Sequence, residues 1–176
     1  MLWLWLGVVA YLINAITSVI DKFLISKKIP SPIVYSFFIG LLSLAVIILV
    51  PFGFSVPPLK IILIALLGGL AFLVSLFFLF TALFKNETSR VVAAIGSLTP
   101  VFTFLLSLLF LNETLNAPEL WAFGFLVAGG IFISIEKENL SWRIHGLTPA
   151  VLSAFFLSFS YVLSKVVYLE EPFVNG

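Results

Sequence analysis

Between Lys60 and Lys85 the chain runs without a charged residue through IILIALLGGLAFLVSLFFLFTALF. A run this long and apolar has one common solution, because hydrocarbon offers the backbone no water to bond. The segment must satisfy its own N–H and C=O groups, and a helix of about 20 apolar residues does so across a bilayer. The rest of the sequence agrees. Of 176 residues, 62% are hydrophobic and 10% charged, and the mean hydropathy is +1.25. Soluble domains carry about 25% charged residues, so too few polar groups are present to cover a water-exposed surface.

Six segments have the length and character of spans: Leu2 to Ser26, Pro32 to Phe52, Leu59 to Phe84, Arg90 to Leu111, Pro118 to Ile135 and Pro149 to Tyr168. Their starts carry helix signals. Ser31-Pro32 and Thr148-Pro149 each put a capping hydroxyl before a first-turn proline. Asn116 with Glu119 three residues on predicts a capping box. The period-two alternation of a membrane β-barrel is absent. The expected fold is therefore an all-α integral membrane protein of about six transmembrane helices with short linkers. The N-terminus lacks a basic stretch and an A-x-A-like cleavage site, so it reads as a retained span anchored by Trp3 and Trp5.

Several function classes are excluded. A net charge of +1 argues against a nucleic-acid partner. With no cysteine there is neither a disulfide framework nor a thiolate metal site, and the lone His145 makes no histidine cluster. We expect no cofactor, no metal and no catalytic residues. An enzyme acting on lipid would need convergent acid, base or metal ligands. Glu136, Glu138, Arg143 and His145 share a loop, but at no recognisable metal spacing. A non-transporting helical subunit is the other alternative.

Polar residues inside spans usually face the bundle interior. Asn14, Ser18 and Asp21 fall on one face of span one, with Thr17 and Lys22 beside them. Gly96, Thr99, Thr103 and Ser107 form a stripe on span four, and Ser153, Ser160 and Ser164 one on span six. A candidate solute cavity is expected near mid-membrane between spans one, three, four and six, with Asn14, Ser18, Thr99, Thr103 and Ser107 as solute-binding residues. Pro100 would bend span four, because it removes a backbone hydrogen bond and clashes with the preceding turn. Lys22, Glu113 and Lys165 are candidates for a gate or ion pair at the ends of the path. Gly68, Ser75 and Ala82 in span three, and Gly124 with Ala128 in span five, read as helix-packing faces.

The run FLFTALFKNETSRVVAAIGSLTPVFTFLLSLLFLNETLNAPELWAFGFLVAGGIFIS resembles the EamA-type family of the drug/metabolite transporter superfamily. The likeness rests on Ala82-Leu83 ending one span, then Pro100-Val101 within the next. It continues with Asn112-Glu113 at that span's end and Gly124, Gly129 and Gly130 in the one after; Lys22 also fits. Asn112 stands where the family usually has glycine. The resemblance implies two five-helix repeats of opposite orientation and a secondary carrier of small organic solutes, in a prokaryotic plasma membrane.

TSVIDKFL (17–24) lies over SYVLSKVV (160–167), matching Val19 to Val162 and Lys22 to Lys165. Lys27-Lys28 follows the first copy and Glu170-Glu171 the second, the charge reversal an inverted repeat needs. We therefore expect residues 1–136 to form one five-helix repeat and 147–176 to open a second, inverted one. The remainder would come from a missing second half or a homo-oligomer. The lysines and arginines concentrate in loops one, three and five. That places the first loop in the cytoplasm and the N-terminus outside, whereas the resemblance implies the opposite orientation.

Overall fold

The structure, a computed structural model, describes residues 2–29, 31–52, 55–111, 116–134, 137–138, 141–142 and 148–171. It is all-α apart from one tiny hairpin. The helices are α1 (Leu2–Lys27), α2 (Pro32–Ser43), α3 (Leu59–Lys85), α4 (Thr88–Leu111), α5 (Ala117–Ser134) and α6 (Thr148–Glu170). Between α5 and α6, β1 (Lys137–Glu138) pairs antiparallel with β2 (Ser141–Trp142). Among the described residues, α1, α3, α4 and α6 are long and apolar enough to cross a membrane.

The helix starts follow their local chemistry. The Ser31 hydroxyl accepts from Val34 N at 3.5 Å, with Pro32 in the first turn. At α5, Asn116 N donates to Glu119 Oε2 at 2.9 Å while Glu119 N donates to Asn116 Oδ1 at 3.0 Å. That is a reciprocal capping box, with asparagine in the place of serine or threonine.

The second span departs from expectation. It is α-helical only to Ser43 and continues as a 3₁₀ helix over Leu44–Phe52. Two features of its sequence disfavour α geometry there. Val46, Ile47, Ile48 and Val50 are β-branched, and Pro51 cannot donate to the carbonyl of Ile47.

Named contacts fix the helix directions. Ser75 meets Ser153, and Lys60 meets Glu170, so α3 and α6 run antiparallel. Lys22 of α1 reaches Leu83 and Asn86 at the end of α3, so α1 runs with α3. α6 packs most extensively on α3 and next on α4. The ring pairs Phe102–Phe155 and Phe110–Phe159 advance together, as parallel α4 and α6 require. Consequently α1 and α6 are antiparallel to each other.

The buried cluster sits at one end of the bundle. It joins Ile25 of α1, Tyr35 of α2, Leu76, Phe80 and Leu83 of α3, Val91 and Ile95 of α4, and Ala150 and Ala154 of α6. Tyr35 packs edge-on against Phe80, with ring centroids 4.5 Å apart. Outward faces carry exposed Leu, Ile, Val and Phe along every span. In water this would be untenable, and in a bilayer it is the lipid-facing coat.

Small residues seat α3 and α4 against their neighbours. Gly68, Ser75 and Ala82 of α3 are buried, and Ser75 Oγ donates to Ser153 O at 3.0 Å. The α5 expectation is corrected. Gly124 and Ala128 are exposed, and nothing lies within 4 Å of a Cβ built on Gly124. The close approach is at Gly130, where a Cβ would meet Ser97 Cβ at 2.2 Å. A small-xxx-small spacing marks a face that permits approach but does not name which small residue is used.

Candidate functional site

Beyond the buried cluster, α4 and α6 line a cavity of about 640 Å³. α4 supplies Thr99, Pro100, Thr103, Phe104 and Ser107. α6 supplies Tyr161, Val162 and Lys165, with Tyr11 from α1 and Phe123 from α5. Thr99, Thr103 and Ser107 fall at i, i+4 and i+8, so one face of α4 carries all three. Phe104 and Phe123 pair across the wall at 5.6 Å.

The hydroxyls of Thr99 and Thr103 are distinctive. Serines and threonines in apolar helices commonly donate to their own i−4 carbonyl. Thr17, Ser18, Ser36, Ser43, Thr81 and Ser158 all do so here. Thr99 Oγ1 and Thr103 Oγ1 do not: each is buried and, among the described residues, without a hydrogen-bond partner. The carbonyl of Thr99, the natural acceptor for Thr103, instead receives Ser158 Oγ at 2.9 Å.

α4 stays helical across Pro100, whose missing N–H withdraws the usual bond to Gly96 O. The bond from Ser158 ties α6 to α4 one residue before that weak point.

The sequence-derived residues fall into separate groups. Thr99, Pro100, Thr103, Ser107 and Lys165 come together on the cavity. Asn14 and Ser18 are not on its wall. Asn14 is exposed on α1, and the Ser18 hydroxyl donates to Asn14 O at 2.9 Å. Tyr11 extends their stripe by one turn into the cavity. Lys22 Nζ donates to Leu83 O and, at 2.8 Å, to Asn86 O, closing the C-terminal end of α3. Its neighbour Asp21 accepts from Tyr35 Oη at 2.6 Å. Glu113 lies outside the described residues, as do Glu136, Arg143 and His145. Ser160 and Ser164 line a second cavity of about 340 Å³ between α3 and α6, with Gly68, Gly69 and Tyr161.

Sequence reading missed Tyr11, Phe104, Phe123, Ser158 and Tyr161. The aromatic residues are indistinguishable from lipid-facing ones by type. Ser158 lies off the Ser153–Ser160–Ser164 spacing that drew attention.

Apolar-faced helices around a largely apolar cavity that carries a few hydroxyls define a multi-pass membrane protein with a cavity between its helices. The EamA-like transporter family model matches residues 1–135, and the chain belongs to that family. It is thus a membrane transporter in the general sense. It is 28% identical over 99 residues to an uncharacterized protein, MJ1333.1, of the archaeon Methanocaldococcus jannaschii; the match covers 56% of this chain and 72% of that protein. No solved structure matches it significantly.

Proposed function

We propose that the chain is a secondary carrier of a small organic solute, working by alternating access, with the α4–α6 cavity as its solute path. The observation that carries this reading is the pair of buried, unpartnered hydroxyls on Thr99 and Thr103. An unmet buried polar group costs about 1–3 kcal/mol, a cost that a polar solute or water in the cavity would relieve. Pro100 supplies a weak point in the same turn, where α4 can flex between two shapes.

The match of TSVIDKFL (17–24) to SYVLSKVV (160–167) supports a repeat architecture. In our reading residues 1–136 form one five-helix repeat, and 147–176 begin an inverted counterpart. α6 then corresponds to α1, and Lys165 to Lys22. Alternation along six helices makes α1 and α6 antiparallel in any case, so the sequence match between them carries the weight. The cavity would be completed by a second half or a second copy. A prokaryotic plasma membrane is its setting in this reading.

The test is flux of labelled amino acids, sugars and organic acids into proteoliposomes. At equal incorporation, Thr103→Val should slow the transported solute about tenfold, the worth of one good hydrogen bond. Pro100→Ala should also reduce flux while raising thermal stability. Unchanged flux in both variants would remove the cavity from the path.

A further inference from the structure

The smaller cavity, of about 340 Å³, brings Ser160 and Ser164 of α6 together with Gly68 and Gly69 of α3, beside Phe72 and Tyr161. The glycines leave it open, since a Cβ on Gly69 would meet nothing within 4 Å. Ser160 is 5% exposed, and neither serine hydroxyl is hydrogen-bonded to a described residue. A hydroxyl in hydrocarbon usually turns back to its own i−4 carbonyl. Thr17 and Ser18, exposed on α1, both do so. Ser160 and Ser164 instead keep their hydrogen-bonding capacity for the cavity.

Tyr161 lines both cavities. At about 100° per residue, Ser160 and Ser164 fall on one side of Tyr161 around α6 and Val162 on the other. The two spaces are therefore neighbours around that ring. The Lys60–Glu170 pair marks the near end of the α3–α6 contact. Gly68 lies eight residues in from Lys60, about 12 Å along the axis, close to the middle of a hydrocarbon core about 30 Å thick. Among the described residues lining this space none is charged. A charged solute would lose its hydration there without meeting an opposite charge, whereas a neutral hydroxyl can both donate to and accept from the serines.

Resting on the carrier reading above, we propose that the α3–α6 cavity is a second station on the solute path, reached past Tyr161, and that it takes an uncharged, hydroxyl-bearing solute. The solute's hydroxyls bond Ser160 and Ser164, and its C–H faces lie against Phe72 and Tyr161.

Glucose, glucosamine and glucuronate share one ring and nearly one size, and at mildly acid pH they are neutral, cationic and anionic. The chain has no cysteine, so Ser164→Cys places a single thiol in the cavity. In proteoliposomes of the purified chain, maleimide should label that thiol. Glucose should protect it at a concentration at least about tenfold below that needed of either charged sugar. Ser160→Ala with Ser164→Ala should slow glucose flux about tenfold at an unchanged melting temperature. Gly69→Leu, which fills the space, should stop it. If Gly69→Leu fails to fold, the serine pair decides. Absence of labelling, protection by none of the three, protection by a charged sugar at an equal or lower concentration, or glucose flux indifferent to the serine pair each overturns the second station. The carrier reading survives those results and falls separately, if the broader solute screen shows no flux sensitive to Thr103→Val.

Discussion

Gly130→Ala should destabilise the protein by about 3 kcal/mol, the upper end of the cost of overpacking a close contact. The added methyl would sit 2.2 Å from Ser97 Cβ and 3.1 Å from Ser97 Cα, so backbone as well as side chain must yield. Ser97 has little room to retreat, being buried with its hydroxyl bonded to Ala94 O at 3.0 Å. α4 and α5 would have to separate along the helix that carries Thr99 and Thr103. Gly124→Ala and Gly129→Ala are the controls. Nothing lies within 4 Å of a Cβ at either site, and alanine is the better helix former by about 1 kcal/mol. Thermal unfolding in detergent should rank Gly130→Ala well below both. Adding Ser97→Gly to Gly130→Ala should recover much of the loss, since it removes the nearest clashing atom. Equal melting of the three alanine variants would refute this contact.

Lys22→Met should cost about 2–3 kcal/mol, in the range for hydrogen bonds made by a charged group. The ammonium satisfies the carbonyls of Leu83 and Asn86 where α3 ends and its dipole is negative. Methionine keeps most of the apolar stem but leaves both carbonyls without that donor. The sequence suggested a different role for Lys22, as a gate or half of an ion pair. The two roles separate experimentally. A helix-end role lowers the melting temperature, and a pure gate alters flux at unchanged melting temperature. By comparison, the exposed Lys60–Glu170 pair, at 3.5 Å, belongs to a class worth about 0–1 kcal/mol.

Much of the fold was readable because local chemistry set it. Ser31-Pro32 and the Asn116–Glu119 pair announce helix starts whatever surrounds them. Runs such as 61–84 leave a helix as the available state in lipid. The stripe of Thr99, Thr103 and Ser107 was legible because i, i+4 spacing puts residues on one face before any partner is known. What was hidden depended on neighbours distant in the chain. Gly130 rather than Gly124 meets Ser97, and only the docking of α5 on α4 decides it. Tyr35 reaches Asp21, and Ser158 reaches Thr99 O, through contacts no spacing encodes. The 3₁₀ stretch from Leu44 was hidden for a different reason. Its β-branched residues and Pro51 were visible, but apolar length alone had suggested one uniform span.

The central claim is that the Thr99–Thr103 face of α4 lines a path opened to each side of the membrane in turn. The chain contains no cysteine, so Thr103→Cys introduces a single thiol into a silent background. Oriented membranes would be treated with a membrane-impermeant maleimide from either side, with Leu109→Cys, whose native side chain is 74% exposed on the lipid-facing coat, as the control. The account predicts labelling of Thr103→Cys from both sides, protection by the transported solute, and no labelling of Leu109→Cys. Labelling of Thr103→Cys from one side alone, or from neither, would contradict it.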